Sequence, residues 1–214
     1  MTTLHRTTAP LACALLACML LPLSACMKLD RTPVERRFYD LSPQRTGEVR
    51  QGMTDHALKV RRFMISPRYE GRELVYKTGD TRFEADYYDL FFVSPAAMLT
   101  QDLRAWLKAS GLFPDVIDPA SMAHSPLTLE GMVNALYGDY TGGGPQAVVE
   151  MQFFLIDDTE GDNAIAFSKA YERRVAIPGK DEDALVAGME QGVAEVFAAL
   201  EADLAGALAP RAGP

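Results

Sequence analysis

Every cysteine of this chain, Cys13, Cys18 and Cys26, lies within the first 26 residues. Whatever follows must fold without a disulfide framework and without a thiolate metal site, on its hydrophobic core alone. The rest of the 214-residue chain is long enough for one ordinary domain.

The cysteines belong to a leader. Arg6 supplies a positive start, and an uncharged run from Thr7 to Met27 follows, broken by Pro10 and Pro22. A short apolar stretch with small residues at its end reads as a secretory signal rather than a membrane-spanning helix. Its last residues, Leu23-Ser24-Ala25-Cys26, match the bacterial lipobox of Leu, small, small, Cys. Each part has a chemical purpose. The thiol accepts a diacylglyceryl group, and the small residues let a peptidase reach extended backbone. Leu15-Leu16-Ala17-Cys18 is a poorer match, because its use would leave MLLPLSAC exposed on the mature chain. Cys26 is therefore the expected lipidation site and first mature residue. A body without thiols also suits the oxidising periplasm. One acyl chain anchors only marginally, whereas several, as such lipoproteins carry, anchor stably. Met27 rather than Asp follows the cysteine, which by the common sorting rule points to the outer membrane.

Charge narrows the partners. The net charge is −8. Removing residues 1–25 takes away Arg6 and no acid, so the mature chain carries −9. That excludes a nucleic-acid binder, which needs clustered Lys and Arg. It also means that charge alone does not bring the domain to a membrane.

After a polar tether at residues 26–36, the pattern is mixed. Arg37–Leu41 reads as a short strand and residues 42–56 as a loop. Leu58, Val60 and Met64 alternate with Lys59, Arg61 and Phe63, which reads as one strand. Glu73–Lys77 and Arg82–Tyr88 form a hairpin around Thr78-Gly79-Asp80. Ser94-Pro95 opens a helix with Leu99, Leu103, Trp106 and Leu107 on one face, and Gly111 closes it. Phe113–Ile117 suggests a short strand. Leu127, Leu129, Val133, Ala135 and Tyr137 keep a period of two. Two further strands follow, Ala147–Ile156 and Ile165–Ile177, joined by a turn at residues 157–163. A last helix from about Asp181 to Leu208 carries the stripe Leu185, Met189, Val193, Val196, Phe197, Leu200 and Leu204, with Glu190, Glu195, Glu201 and Asp203 largely off it. The expected fold is a single α/β domain over residues 37–208: a mixed, mostly antiparallel sheet of about seven strands with two main helices. Residues 209–214 read as a disordered tail.

No catalytic, metal or cofactor set is expected. His5 is in the leader, and His56 and His124 stand in loops without a nucleophile or carboxylate at motif spacing. Gly142-Gly143-Gly144 lacks the Lys-Ser/Thr of a phosphate loop and reads as a hairpin turn. Asp157–Asp162 has the charge but not the spacing of a calcium loop. The pairs Arg61-Arg62 and Arg173-Arg174 are explained by a solvated strand face or edge.

Five pieces, in order, resemble the ABC-type transport auxiliary lipoproteins, the family of paraquat-inducible protein C. They are Phe38-Tyr39-Asp40-Leu41-Ser42-Pro43, Leu74-Val75-Tyr76-Lys77-Thr78-Gly79, Tyr88 through Pro95-Ala96-Ala97-Met98-Leu99, Ser110-Gly111-Leu112-Phe113, and Leu129-Glu130-Gly131. The resemblance covers roughly residues 37–204 behind the lipobox. One departure is Phe91, near a place where the family often has Trp. The resemblance implies a non-enzymatic role at the outer membrane. It implies partners too: a periplasmic MCE-domain protein and an inner-membrane ABC transporter that together move lipids, and assembly as a homo-oligomer. Two other readings are a lipid-binding carrier with a pocket between helix and sheet, and a lipoprotein hydrolase.

Overall fold

The computed structural model describes residues 35–50 and 52–209. The leader, Cys26, most of the tether and the last five residues lie outside the described residues. From Glu35 the chain forms one α/β domain of two layers, a nine-stranded mixed sheet and two helices.

The long strands come late in the chain. β7 (Leu127–Asp139), β8 (Gln146–Asp157) and β9 (Ala164–Ala176) form an antiparallel meander. The other side of β7 is shared by three short strands in parallel: β2 (Leu58–Val60), β3 (Met64–Ile65) and β4 (Glu73–Lys77). β6 (Val116–Ile117) adds to β2, β5 (Phe83–Phe91) pairs antiparallel with β4, and β1 (Arg37–Tyr39) lies parallel beside β5. The sheet has nine strands where the pattern suggested about seven. The antiparallel ladders are the long ones, although most strand pairs are parallel.

Both helices lie on one face of the sheet. α1 (Pro95–Ser110) begins at Ser94 with Pro in its first turn and stops at Gly111, whose φ of 71° is open to glycine and costly for a side chain. A Cβ there would lie 2.0 Å from the Arg50 carbonyl. α2 (Glu182–Leu208) is capped by Asp181, whose carboxylate accepts from the Ala184 amide at 2.9 Å. Leu99, Leu103, Leu107, Val193, Val196, Phe197 and Leu200 are fully buried against Val149, Met151 and Phe153 of β8 in one continuous core.

The structure corrects two alternation readings. Residues 57–64 are not one strand. The chain breaks at Arg61-Arg62, so Phe63 turns into the core and Met64 turns out. On β7 a bulge between Val133 and Ala135 shifts the register against β8. One extra residue reverses the faces. Leu136 therefore joins the main core, while Ala135 and Tyr137 join a small cluster with Tyr69, Val75 and Val148.

Candidate functional site

Among the described residues, the histidines and loop motifs read from the sequence are not brought together. His56 and His124 are both exposed. A Cβ added at any of the three glycines 142–144 would meet nothing within 4 Å. The acidic turn binds itself, with Asp157 accepting from the Thr159 amide at 2.9 Å and Asp158 from the Asn163 amide at 3.2 Å. The two basic pairs split between partners: Arg61 meets Glu130, Arg173 meets Glu195 of α2, and Arg174 meets Glu172.

Two polar clusters matter, and both tie the chain's N-terminal segment to the helix layer. The first surrounds Glu201, which the helical stripe placed off the core and which is 7% exposed. Its carboxylate accepts from Arg45 Nε and Nη2 at 2.8 Å each and from Trp106 Nε1 at 2.8 Å. Burial opposes its charge. The Arg45 and Trp106 hydrogen bonds and the Arg45 and Arg50 charges outweigh that and hold the carboxylate below its usual range. Arg45 also donates to the Gly47 and Glu48 carbonyls, so one guanidinium folds the loop after β1 onto both helices. A carboxylate so occupied serves structure rather than proton transfer.

The second cluster fixes β1. Arg37 Nε meets Asp89 at 2.6 Å and its Nη2 meets Glu182 at 2.8 Å, joining β1, β5 and the start of α2. Asp86, Asp89 and Glu182 bring carboxylate oxygens close enough to hold a cation. The Arg37 guanidinium already supplies that positive charge, and Tyr76 donates to Asp86 at 3.0 Å.

The surfaces left for partners are edges and one face. β9 is thirteen residues long, and among the described residues it pairs only with β8. The face of the sheet away from the helices carries exposed Met64, Met132 and Ile165. A cleft of about 520 Å³ on that face is lined by Lys59, Arg61, Arg62, Thr128, Glu130 and Ile156. The helix–sheet interface, in contrast, is filled by side chains with almost no exposure. No described helix is long and apolar enough to cross a membrane.

The described residues thus form a two-layer sheet-and-helix domain whose N-terminal strand is tied to the helix layer. Comparison then gives the lineage. The model of the ABC-type transport auxiliary lipoprotein component family matches residues 39–201, and the chain belongs to that family. The family is one of transporter auxiliary components rather than enzymes. Among solved structures, protein XCC0632 from Xanthomonas campestris is 16% identical with a TM-score of 0.72, covering 80% of this chain and 95% of that one. The hypothetical protein CT253 from Chlamydia trachomatis is 7% identical with a TM-score of 0.55, covering 72% and 98%. At these identities the likeness is one of fold. No protein of curated function matches the chain.

Proposed function

We propose that this protein is a lipid-anchored docking component of an envelope transport system. In this reading residues 1–25 are removed and Cys26 carries the acyl chains. Residues 26–36 tether the domain to the periplasmic face of the outer membrane, with Met27 directing it there. The domain then receives an MCE-domain protein that, with an inner-membrane ABC transporter, moves lipids between the membranes. Copies of the chain assemble into a homo-oligomer on that surface.

The family match over residues 39–201 carries the reading. The long edge of β9, unpaired among the described residues, supports it, because an extended segment of a partner or of another copy can add there through main-chain hydrogen bonds. The filled helix–sheet interface weighs against a carrier with cargo held between the layers. The dispersed histidines weigh against a hydrolase.

The test is gentle detergent purification from native membranes, followed by mass spectrometry of what co-purifies and of the intact assembly. Recovery of an MCE-domain protein with its transporter is the expected result. Recovery of the protein alone with bound lipid would defeat docking in favour of a carrier.

A further inference from the structure

The ladder between β4 and β5 is interrupted at the edge beside β1. β4 and β5 pair from Lys77↔Phe83 to Val75↔Ala85, and then jump to Glu73↔Leu90. Residues 86–89 are looped out of the ladder opposite a single residue, Leu74. Bulges of this kind re-aim side chains at a sheet edge. This one is held by Asp86, whose Oδ1 accepts from the Tyr88 amide at 2.8 Å and the Asp89 amide at 3.0 Å. Its product is two tyrosines pushed into solvent, with Tyr87 66% exposed.

They do not stand alone. Tyr87 packs edge-on against Tyr88 at 5.1 Å between ring centres. The Arg36 guanidinium lies 4.6 Å over the Tyr87 ring. Two residues on, and so on the same side of β1, Phe38 is 49% exposed. Phe38 packs edge-on at 6.2 Å against Phe92, itself 65% exposed, and Arg72 lies 5.8 Å over Phe38. Arg37 and Tyr39, the alternate residues, face the helix layer. Tyr88, Tyr87 and Arg36 in one group and Phe38, Phe92 and Arg72 in a second, joined by the two-residue step from Arg36 to Phe38, thus make an aromatic–arginine strip along the β1–β5 edge. Exposed apolar strips of this kind mark interaction sites.

We infer that this strip is a membrane-interface docking face that lays the domain against an anionic phospholipid bilayer. The inference rests on the anchored reading above. Tyr, Phe and Arg combine apolar bodies with polar tips, the composition that settles at the headgroup level. The position of the strip agrees. The tether enters it at Arg36, and the ten residue steps from Cys26 span at most ~35 Å. Charge agrees as well. Residues 27–36 hold Lys28, Arg31 and Arg36 against Asp30 and Glu35, a net +1 on a mature chain of −9. The basic end of an otherwise acidic molecule is therefore the end nearest the headgroups. The acids within the bulge are already engaged, Asp86 by Tyr76 and backbone amides and Asp89 by Arg37. The strip adds a second, weaker membrane signal to the acyl chains and fixes orientation rather than attachment.

The experiment uses the full lipidated protein in vesicles of phosphatidylethanolamine and phosphatidylglycerol, with and without brominated acyl chains. The single native tryptophan, Trp106, is buried and supplies the background. Tyr87→Trp places a reporter in the strip. Met122→Trp places one at a fully solvated position in the loop before β7, 98% exposed. The expected result is several-fold stronger bromine quenching of Tyr87→Trp than of Met122→Trp, with a blue shift on vesicle binding. Flotation is read on the same samples. Flotation with equal or no quenching overturns the docking face and leaves the anchor standing. Failure to float overturns both. A Tyr87→Trp emission that shifts with protein concentration but ignores bromine assigns the strip to a second copy and overturns the inference.

Discussion

Asp102 and Glu201 both face the N-terminal segment from the helix layer, and their environments push them in opposite directions. Glu201 is held low by two cations and an indole N–H. Among the described residues, one buried carboxylate oxygen of Asp102 finds no partner. Burial first, then the charges of Asp40 and Glu190, push its carboxyl up to about 7. The sign of its effect on stability follows. Below pH ~4 Asp102 is protonated in both the folded and the unfolded chain. Between about 4 and 7 the unfolded chain releases the proton and the folded chain keeps it, so this group lowers stability as pH rises through that window. Asp102→Asn is expected to remove that fall and to make the protein more stable than wild type at about pH 8. Urea midpoints at both ends of the window check this; parallel losses in the two proteins would assign the effect elsewhere. Glu201 works the other way, adding stability at neutral pH that is lost on acidification as its carboxylate protonates. Glu201→Ala leaves Arg45 and Trp106 Nε1 without their partner and is expected to cost about 3 kcal/mol, measured by denaturant unfolding at neutral pH. A loss below about 1 kcal/mol would mean that water replaces the carboxylate freely.

The helices were legible because their signals are local. Ser94-Pro95, Gly111 and the 3.6-residue stripe of α2 each lie within a few residues of what they control. The three-stranded meander was legible for the same reason. What escaped was set at long range. The short strands β2, β3 and β4 owe their places to one long neighbour, β7, and alternation within three residues cannot show that. The β7 bulge and the break at Arg61-Arg62 reverse faces without any glycine or proline to announce them. Glu201 escaped because its partner Arg45 is 156 residues away. The β5 bulge had one local signal that could have found it: Asp86 just before Tyr87-Tyr88, able to accept from the amides beyond them. The helix pattern also omitted Gly188 and Gly192, which lie on the buried face of α2. A Cβ at Gly188 would come within 2.5 Å of Ile177 Cγ2 and 2.9 Å of Ala147 Cβ. Glycine there lets α2 approach the sheet. Gly188→Val is expected to lower stability by about 1–3 kcal/mol through overpacking, despite replacing a poor helix former. A thermal melt decides it, and a gain would show that the helix shifts outward without loss.

Among the described residues the buried core runs from Leu41 to Ala205. Its largest fully buried side chains, among them Phe91, Phe153 and Phe197, come from β5, β8 and α2. The anchored reading treats folding and anchoring as separable. That separation gives the anchored reading a clean test. Cys26→Ala removes the thiol that would be acylated and touches no described contact. The expected outcome is release from the membrane fraction into the periplasm, an unchanged far-ultraviolet spectrum and melting temperature, and loss of transport in cells. The reason for the last is proximity. An anchor confines the domain to the surface where its partners meet, raising its effective concentration there without any new contact. Retention of the variant in the membrane fraction would mean that something other than Cys26 holds the protein. Release with transport intact would mean that the domain finds its partners without the tether, and the acyl chains would then set orientation rather than assembly.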